Sequence, residues 1–186
     1  MIVTSDPGLA RLCRSLRNQG RDDDSAEHAR LGYNYRLSEV ASALGSAQLR
    51  RLEAILDRRE AVARGYHRRL ANCRDLVLPD ITFPAGRTSW FAYVVRLAPR
   101  FERDARDWIL AAMRDRGIEC RRYFAPLHLL PHLRATLGHR PGDFPAAEAA
   151  SERTLALPLF NRISESEIDD VCETLVHLIQ ARSQDR

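Results

Sequence analysis

Two loops hold the side chains whose types and spacing could do chemistry. The first is Gly32-Tyr33-Asn34-Tyr35-Arg36-Leu37-Ser38-Glu39, just ahead of a long helical pattern. It gathers an amide, two phenols and a guanidinium at a helix N-terminus, where free backbone N–H groups favour an anion. The same residues also suit a capping turn with Asn34 bonded to its own backbone, and taken alone they favour that plainer reading. The second is Arg121-Arg122-Tyr123-Phe124-Ala125-Pro126-Leu127-His128, running off a strand into a proline turn. Two guanidiniums, a phenol and an imidazole there could meet a phosphorylated or carboxylated ligand. They also suit an exposed arginine pair and a histidine bonded to a carbonyl, which for a lone histidine in a loop is more frequent than a catalytic role.

One chemistry is closed to the chain. Its 186 residues contain 29 lysines plus arginines, and every one is arginine. Condensation with an aldehyde needs a primary amine, and guanidinium stays protonated. No side chain here can form a Schiff base, so no catalytic residue of that kind is assigned. Cys13, Cys73, Cys120 and Cys172 show neither C-x-x-C spacing nor a neighbouring histidine pair. They read as reduced thiols, buried or half-buried, with no metal site.

Composition narrows the class further. Hydrophobic residues make up 45% and charged residues 29%, the balance of a soluble globular protein. No apolar run reaches the length of a membrane span, and the start lacks a signal-peptide pattern. The expected setting is the cytoplasm. The net charge is +4, but arginine alternates with acids, as in Arg100-Phe101-Glu102-Arg103-Asp104-Ala105-Arg106-Asp107. A nucleic-acid stripe would concentrate charge beside stacking aromatics, so nucleic acid is not an expected partner.

The elements that must position these loops follow from periodicity. Met1 to Thr4 reads as a strand without a nearby partner, and Pro7 to Asn18 as a short amphipathic helix. Apolar residues from Leu37 to Leu70 recur at helical spacing, predicting one long helical element broken or bent around Asp57 to Arg59. Strands are predicted at Leu76 to Pro79, Trp90 to Leu97 and Ile118 to Tyr123. A helix over Asp104 to Arg116 turns Trp108, Ile109, Ala112 and Met113 inward and stops at Gly117. Phe144 to Leu155 is read as helix with Asp143 as N-cap. Ser164 and Glu167 form a capping box, stapled by Ile163 and Ile168. That last helix should bury Ile168, Val171, Cys172, Leu175, Leu178 and Ile179. By residues alone this is an α+β domain with an N-terminal extension.

The motifs in order are MIVTSD with SLRNQGR, then LGYNYRLSEVASALGSAQLRRLEAILDRREAVARGY, RDRGIECRRYFAPLHLLPHLR, and GDFPAAEAASERTLALPLFNRISESEIDDV. On these the chain resembles the C-terminal half of the DegT/DnrJ/StrS family of pyridoxal-phosphate-dependent sugar aminotransferases, over nearly all its length. The resemblance implies an α/β enzyme of fold type I and a homodimer with active sites at the subunit interface. This chain would supply mainly the small C-terminal α+β domain, plus an edge strand and helix of the large domain. Residues 1–30 would be a remnant of the large cofactor-binding domain, 31–70 an interdomain and dimer-interface segment, and 71–182 the small domain. The cofactor lysine would fall upstream of residue 1, so a missing N-terminal half is expected to explain its absence.

By the same resemblance, Asn34 would reach the pyridoxal 5'-phosphate group across the dimer. Arg36 and Tyr35 would line the nucleotide-sugar side, and His128 would contact substrate near the entrance. Ala125 and Leu130 depart from a lysine and a glutamine of other members, so the sugar is not carried over. The implied function is the C-terminal portion of a nucleotide-sugar aminotransferase, moving an amino group from a donor such as glutamate to a keto-sugar. The alternative is a non-catalytic truncated homologue or a regulatory module that pairs with a full-length homologue.

Overall fold

The computed structural model describes residues 2–22, 27–82 and 86–184, in two units, Met1–Leu52 and Glu53–Arg186. In the first, Asp6 starts helix α1 (Pro7–Arg17): its carboxylate accepts from the Gly8 and Leu9 N–H groups, satisfying donors with no intrahelical partner. Gln19 and Gly20 then turn the chain with φ of 63° and 78°. The returning segment docks on the end of α1. Tyr33 N–H donates to Leu16 O (2.7 Å), Gln19 N–H to Tyr33 O (2.9 Å) and Tyr35 N–H to Arg17 O (2.9 Å). Residues 2–4, expected as a strand, belong to none among the described residues, and Met1 lies outside them. Ile2 and Val3 are exposed, as befits β-branched residues with no ladder to join.

The long helical element expected from Leu37 to Leu70 is broken into two helices. Ser38 caps α2 (Glu39–Arg50) by accepting from Ala41 N–H at 3.3 Å. Arg51 leaves helical geometry, and α3 (Leu52–Leu70) follows. The break is therefore at Arg51, not at Asp57 to Arg59. Leu49 and Leu52 keep helical spacing across it, so periodicity gave no sign of the interruption.

The second unit is built on a four-stranded antiparallel sheet of order β1-β2-β4-β3, comprising β1 (Leu76–Val77), β2 (Tyr93–Leu97), β3 (Arg121–Arg122) and β4 (Thr154–Leu157). β2 starts three residues later than expected. Trp90 has φ of 44°, outside ladder geometry, and instead buries its ring beside Tyr93. The period-2 side-chain alternation puts Tyr93, Val95 and Leu97 on one face, and the register sets Leu157 and Leu155 opposite Tyr93 and Val95. That face joins α3, α4 (Arg103–Asp115) and α7 (Glu165–Gln184) in one core.

β4 lies inside the segment expected as helix Phe144 to Leu155. The helix there, α6 (Pro145–Arg153), ends early and its continuation pairs with both β2 and β3. Its N-cap position is Phe144, while the Asp143 carboxylate accepts from Arg140 N–H at 3.0 Å. A short 3-10 turn (Leu127–Leu129) and helix α5 (Pro131–Leu137) fill the connection after β3.

Two expectations about helix faces fared differently. Ser164 and Glu167 form the capping box, with Ser164 N–H donating to Glu167 Oε2 at 2.7 Å and Glu167 N–H to Ser164 Oγ at 3.2 Å. All six apolar residues assigned to the inner face of α7 are buried. Trp108, expected inward on α4, is 41% exposed, with the Arg182 guanidinium 6.0 Å from its ring. The buried positions of α4 that were not expected are Ala105, Leu110 and Arg106, the last 1% exposed.

Candidate functional site

In the first unit, close backbone approach holds the Tyr33-to-Arg36 loop in place. A methyl built on Gly32 would lie 2.0 Å from Gly20 N, and one on Gly20 would lie 1.8 Å from Arg30 O. Only glycines allow these strands of chain to meet. The Asn34 side chain does not fold onto its own backbone; its Oδ1 accepts from Arg36 Nε at 3.0 Å. With that oxygen occupied by a guanidinium, the amide presents its NH₂ as donor. The Tyr33 and Tyr35 rings stack with centroids 5.0 Å apart and planes 8° from parallel, both exposed. Asn34, Tyr35 and Arg36 thus form a single exposed donor surface. A phosphate, which offers only acceptors here, is complementary to it.

In the second unit the Arg121-to-His128 stretch is more self-contained. Arg121 pairs with Glu119, and Arg122 lies 3.8 Å from Asp107. Exposed pairs of this kind contribute little to stability. His128 sits on the 3-10 turn with its Nε2 3.0 Å from Glu148 Oε1, so its partner is a carboxylate and not a backbone carbonyl. The Phe144 ring lies 4.7 Å from the imidazole. The sequence reading missed Glu148, although an acid in the first turn of α6 was a visible sign that it could reach back to free N–H groups. It also missed Arg106, whose Nε donates to Asp107 Oδ1 (2.6 Å) and Nη1 to Ser151 O (2.7 Å). In the sequence that arginine is one more charge in an alternating run.

Backbone donors hold several carboxyls below their ordinary range. Gly142 N–H does so for Glu148, with His128 and Phe144 N–H assisting. Arg140 N–H acts on Asp143, Ser164 on Glu167, and the Arg69 guanidinium on Asp169. A carboxyl depressed in the folded chain adds stability above its unfolded value, and that stability is lost as pH falls through the folded value. The second unit should therefore lose stability progressively below the ordinary carboxylate range. Urea midpoints measured at descending pH should fall, and flat midpoints through that range would contradict the assignment.

Burial pushes the Cys120 and Cys172 thiols up to about 12, so neither is a nucleophile near neutrality. Among the described residues no group of three or more histidine, cysteine or acidic side chains could hold a metal ion. No described helix is long and apolar enough to cross a membrane. For pyridoxal phosphate the fit is divided. The Asn34 amide and Arg36 suit its phosphate, but the chain offers no lysine amine for covalent attachment.

This mixture of helices and a small antiparallel sheet has the fold of part of a fold-type-I, pyridoxal-phosphate-dependent aminotransferase. The chain belongs to the DegT/DnrJ/EryC1/StrS aminotransferase family, whose pattern matches residues 1–176. It is 34% identical over 175 residues to the erythromycin biosynthesis sensory transduction protein EryC1 of Saccharopolyspora erythraea, covering 94% of this chain and 45% of that one. It is 32% identical to the dTDP-4-dehydro-2,3,6-trideoxy-D-glucose 4-aminotransferase of Saccharopolyspora spinosa, covering 98% and 50%. Its fold superposes on the aminotransferase TlmJ of Streptoalloteichus hindustanus with a TM-score of 0.82 at 32% identity, covering 95% and 46%. The chain spans about half the length of the curated relatives it matches.

Proposed function

We propose that this chain is the C-terminal portion of a nucleotide-sugar aminotransferase, in which an amino group passes from a donor such as glutamate to a keto-sugar. Bound pyridoxal phosphate supplies the electron sink for such chemistry; this chain binds and orients. Asn34 donates its amide N–H to the cofactor phosphate, and Arg36 holds that amide in place while offering its remaining N–H groups to a substrate diphosphate. Tyr35 walls the same side, and His128 meets the substrate near its entrance. Residues 1–30 belong with the large domain, 31–70 with the interdomain and dimer interface, and 71–182 with the small domain, in a cytoplasmic homodimer. The observation that carries this reading is the Asn34–Arg36 bond in a family member.

A second reading is favoured by a specific observation, the absence of lysine. The chain would then be a non-catalytic homologue or regulatory module that pairs with a full-length relative. One experiment addresses both. Purified chain mixed with pyridoxal phosphate and treated with borohydride should carry no pyridoxyl group on any side chain, whether or not it binds the cofactor's phosphate. Amino transfer by the chain alone, free of contaminants, would defeat both readings. Amino transfer on mixing with a lysine-bearing N-terminal half, lost with Asn34→Ala, would support the first. Cofactor retention by a full-length homologue that this chain merely modulates would support the second.

A further inference from the structure

We infer that Glu148 is a positioning residue for His128, fixing both the ring and the place of its proton so that Nδ1 is the atom offered to a ligand hydroxyl. This rests on the reading of His128 as a substrate-side residue; the role of Glu148 itself is read from the geometry.

Glu148 lies in the first turn of α6, twenty residues along the chain from His128. Its Oε1 accepts from Gly142 N–H (2.8 Å) and Phe144 N–H (3.3 Å), and its Oε2 from Gly142 N–H (3.0 Å). Surrounded by backbone donors, the carboxylate stays ionised and can only accept. The contact between its Oε1 and His128 Nε2 at 3.0 Å therefore requires the proton to be on Nε2. In the neutral ring Nδ1 is then a bare acceptor, and it has no hydrogen-bond partner among the described residues. Two rings oppose rotation: Phe144 at 4.7 Å, tilted by 59°, and His139 edge-on at 6.2 Å. His139 is itself held by Asp143, with Nδ1 to Oδ2 at 3.3 Å. The His128 side chain is 10% exposed.

The consequence is chemical selectivity. A bare Nδ1 cannot donate, so while the ring is neutral it does not suit a phosphate oxygen. It suits a hydroxyl proton, which a sugar ring offers and a diphosphate does not. His128 is thereby assigned to the sugar moiety, with Glu148 setting that preference through the proton it retains.

The test uses the 186-residue chain labelled with ¹⁵N-histidine, with long-range ¹H–¹⁵N spectra recorded at rising pH and read where the ring signals no longer move. His128 is identified by its loss in His128→Gln. The expected result is one fixed tautomer, with Nε2 protonated and Nδ1 in the unprotonated range. Glu148→Ala should move both nitrogens toward the averaged positions of exchanging tautomers, and Glu148→Asp should restore the separation. A merely structural carboxylate would not move them. A wild-type ring that is averaged, or protonated on Nδ1, overturns the role of Glu148 even if the alanine variant does not fold. Adding dTDP-glucose should shift Nδ1 and leave Nε2 in place. A fixed tautomer with Nδ1 unmoved by the nucleotide sugar would instead overturn the assignment of His128 to a sugar hydroxyl.

Discussion

Replacing Leu175 by alanine is expected to lower the unfolding free energy of the second unit by about 2–5 kcal/mol. Leu175 is 0% exposed in the middle of α7 and packs into the core shared with α4 and the sheet. Truncation removes its buried carbons and leaves a space that the helices on either side can only partly close. For a chain of this size each kcal/mol moves the melting point by roughly 2–4 °C, so a drop on the order of 10 °C follows. Trp108→Ala supplies the contrast. Its ring is larger, but it stands half in water against Arg182, and exposed apolar surface contributes little. Urea and thermal unfolding followed by far-ultraviolet circular dichroism measure both. Equal losses for the two variants, or a smaller loss for Leu175, would mean that α7 does not close the core as described.

Gly32→Ala should release the loop that carries Asn34 from the end of α1. The new methyl would meet Gly20 N at 2.0 Å, Gln19 C at 2.5 Å and Gly20 Cα at 2.7 Å, all backbone atoms with no rotamer to yield. Overlap of that depth is not relieved by small angle changes, which cost energy quadratically. The chain must separate there, sacrificing the bonds of Tyr33 N–H to Leu16 O and Gln19 N–H to Tyr33 O. Each is worth about 1 kcal/mol net, and the Tyr33–Tyr35 stack that rides on them goes too. Hydrogen exchange at the Tyr33 and Tyr35 amides should accelerate by ten-fold or more, a change of about 1.4 kcal/mol or greater. The amides of β2 and β4 should keep their protection, because no atom met by the methyl belongs to the second unit. Unchanged exchange at Tyr33 would show that the loop is not held as described.

Legibility in the sequence followed the range of the interactions. The α7 start was plain because a capping box uses residues three apart, and its buried face was plain because 3.6-residue periodicity is local. β4 was missed because Thr154 to Leu157 follows Ala-Ala-Glu-Ala-Ala-Ser-Glu-Arg, strong helix-forming company. The alternation of Leu155 with Leu157 ahead of Pro158 was the available sign of a strand. What made it a central strand was pairing with β2, far away along the chain, and with β3.

The candidate site divides in the same manner. Asn34, Tyr35, Arg36 and His128 were marked by type, by spacing and by resemblance to the family. The amide donor left by the Asn34–Arg36 bond, the anchoring of the loop through Gly20 and Gly32, and Glu148 behind His128 were not marked. The sequence by itself determined which chemistry is unavailable to its side chains, since a chain without lysine has no side-chain amine to condense with an aldehyde wherever its residues fall. It also determined the starts of α1 and α7, which depend on neighbours within a turn. Only the tertiary structure decided which donors remain unsatisfied and which proton stays on which nitrogen. Those depend on groups brought within 3 Å by packing, and their separation along the chain carries no trace of that distance.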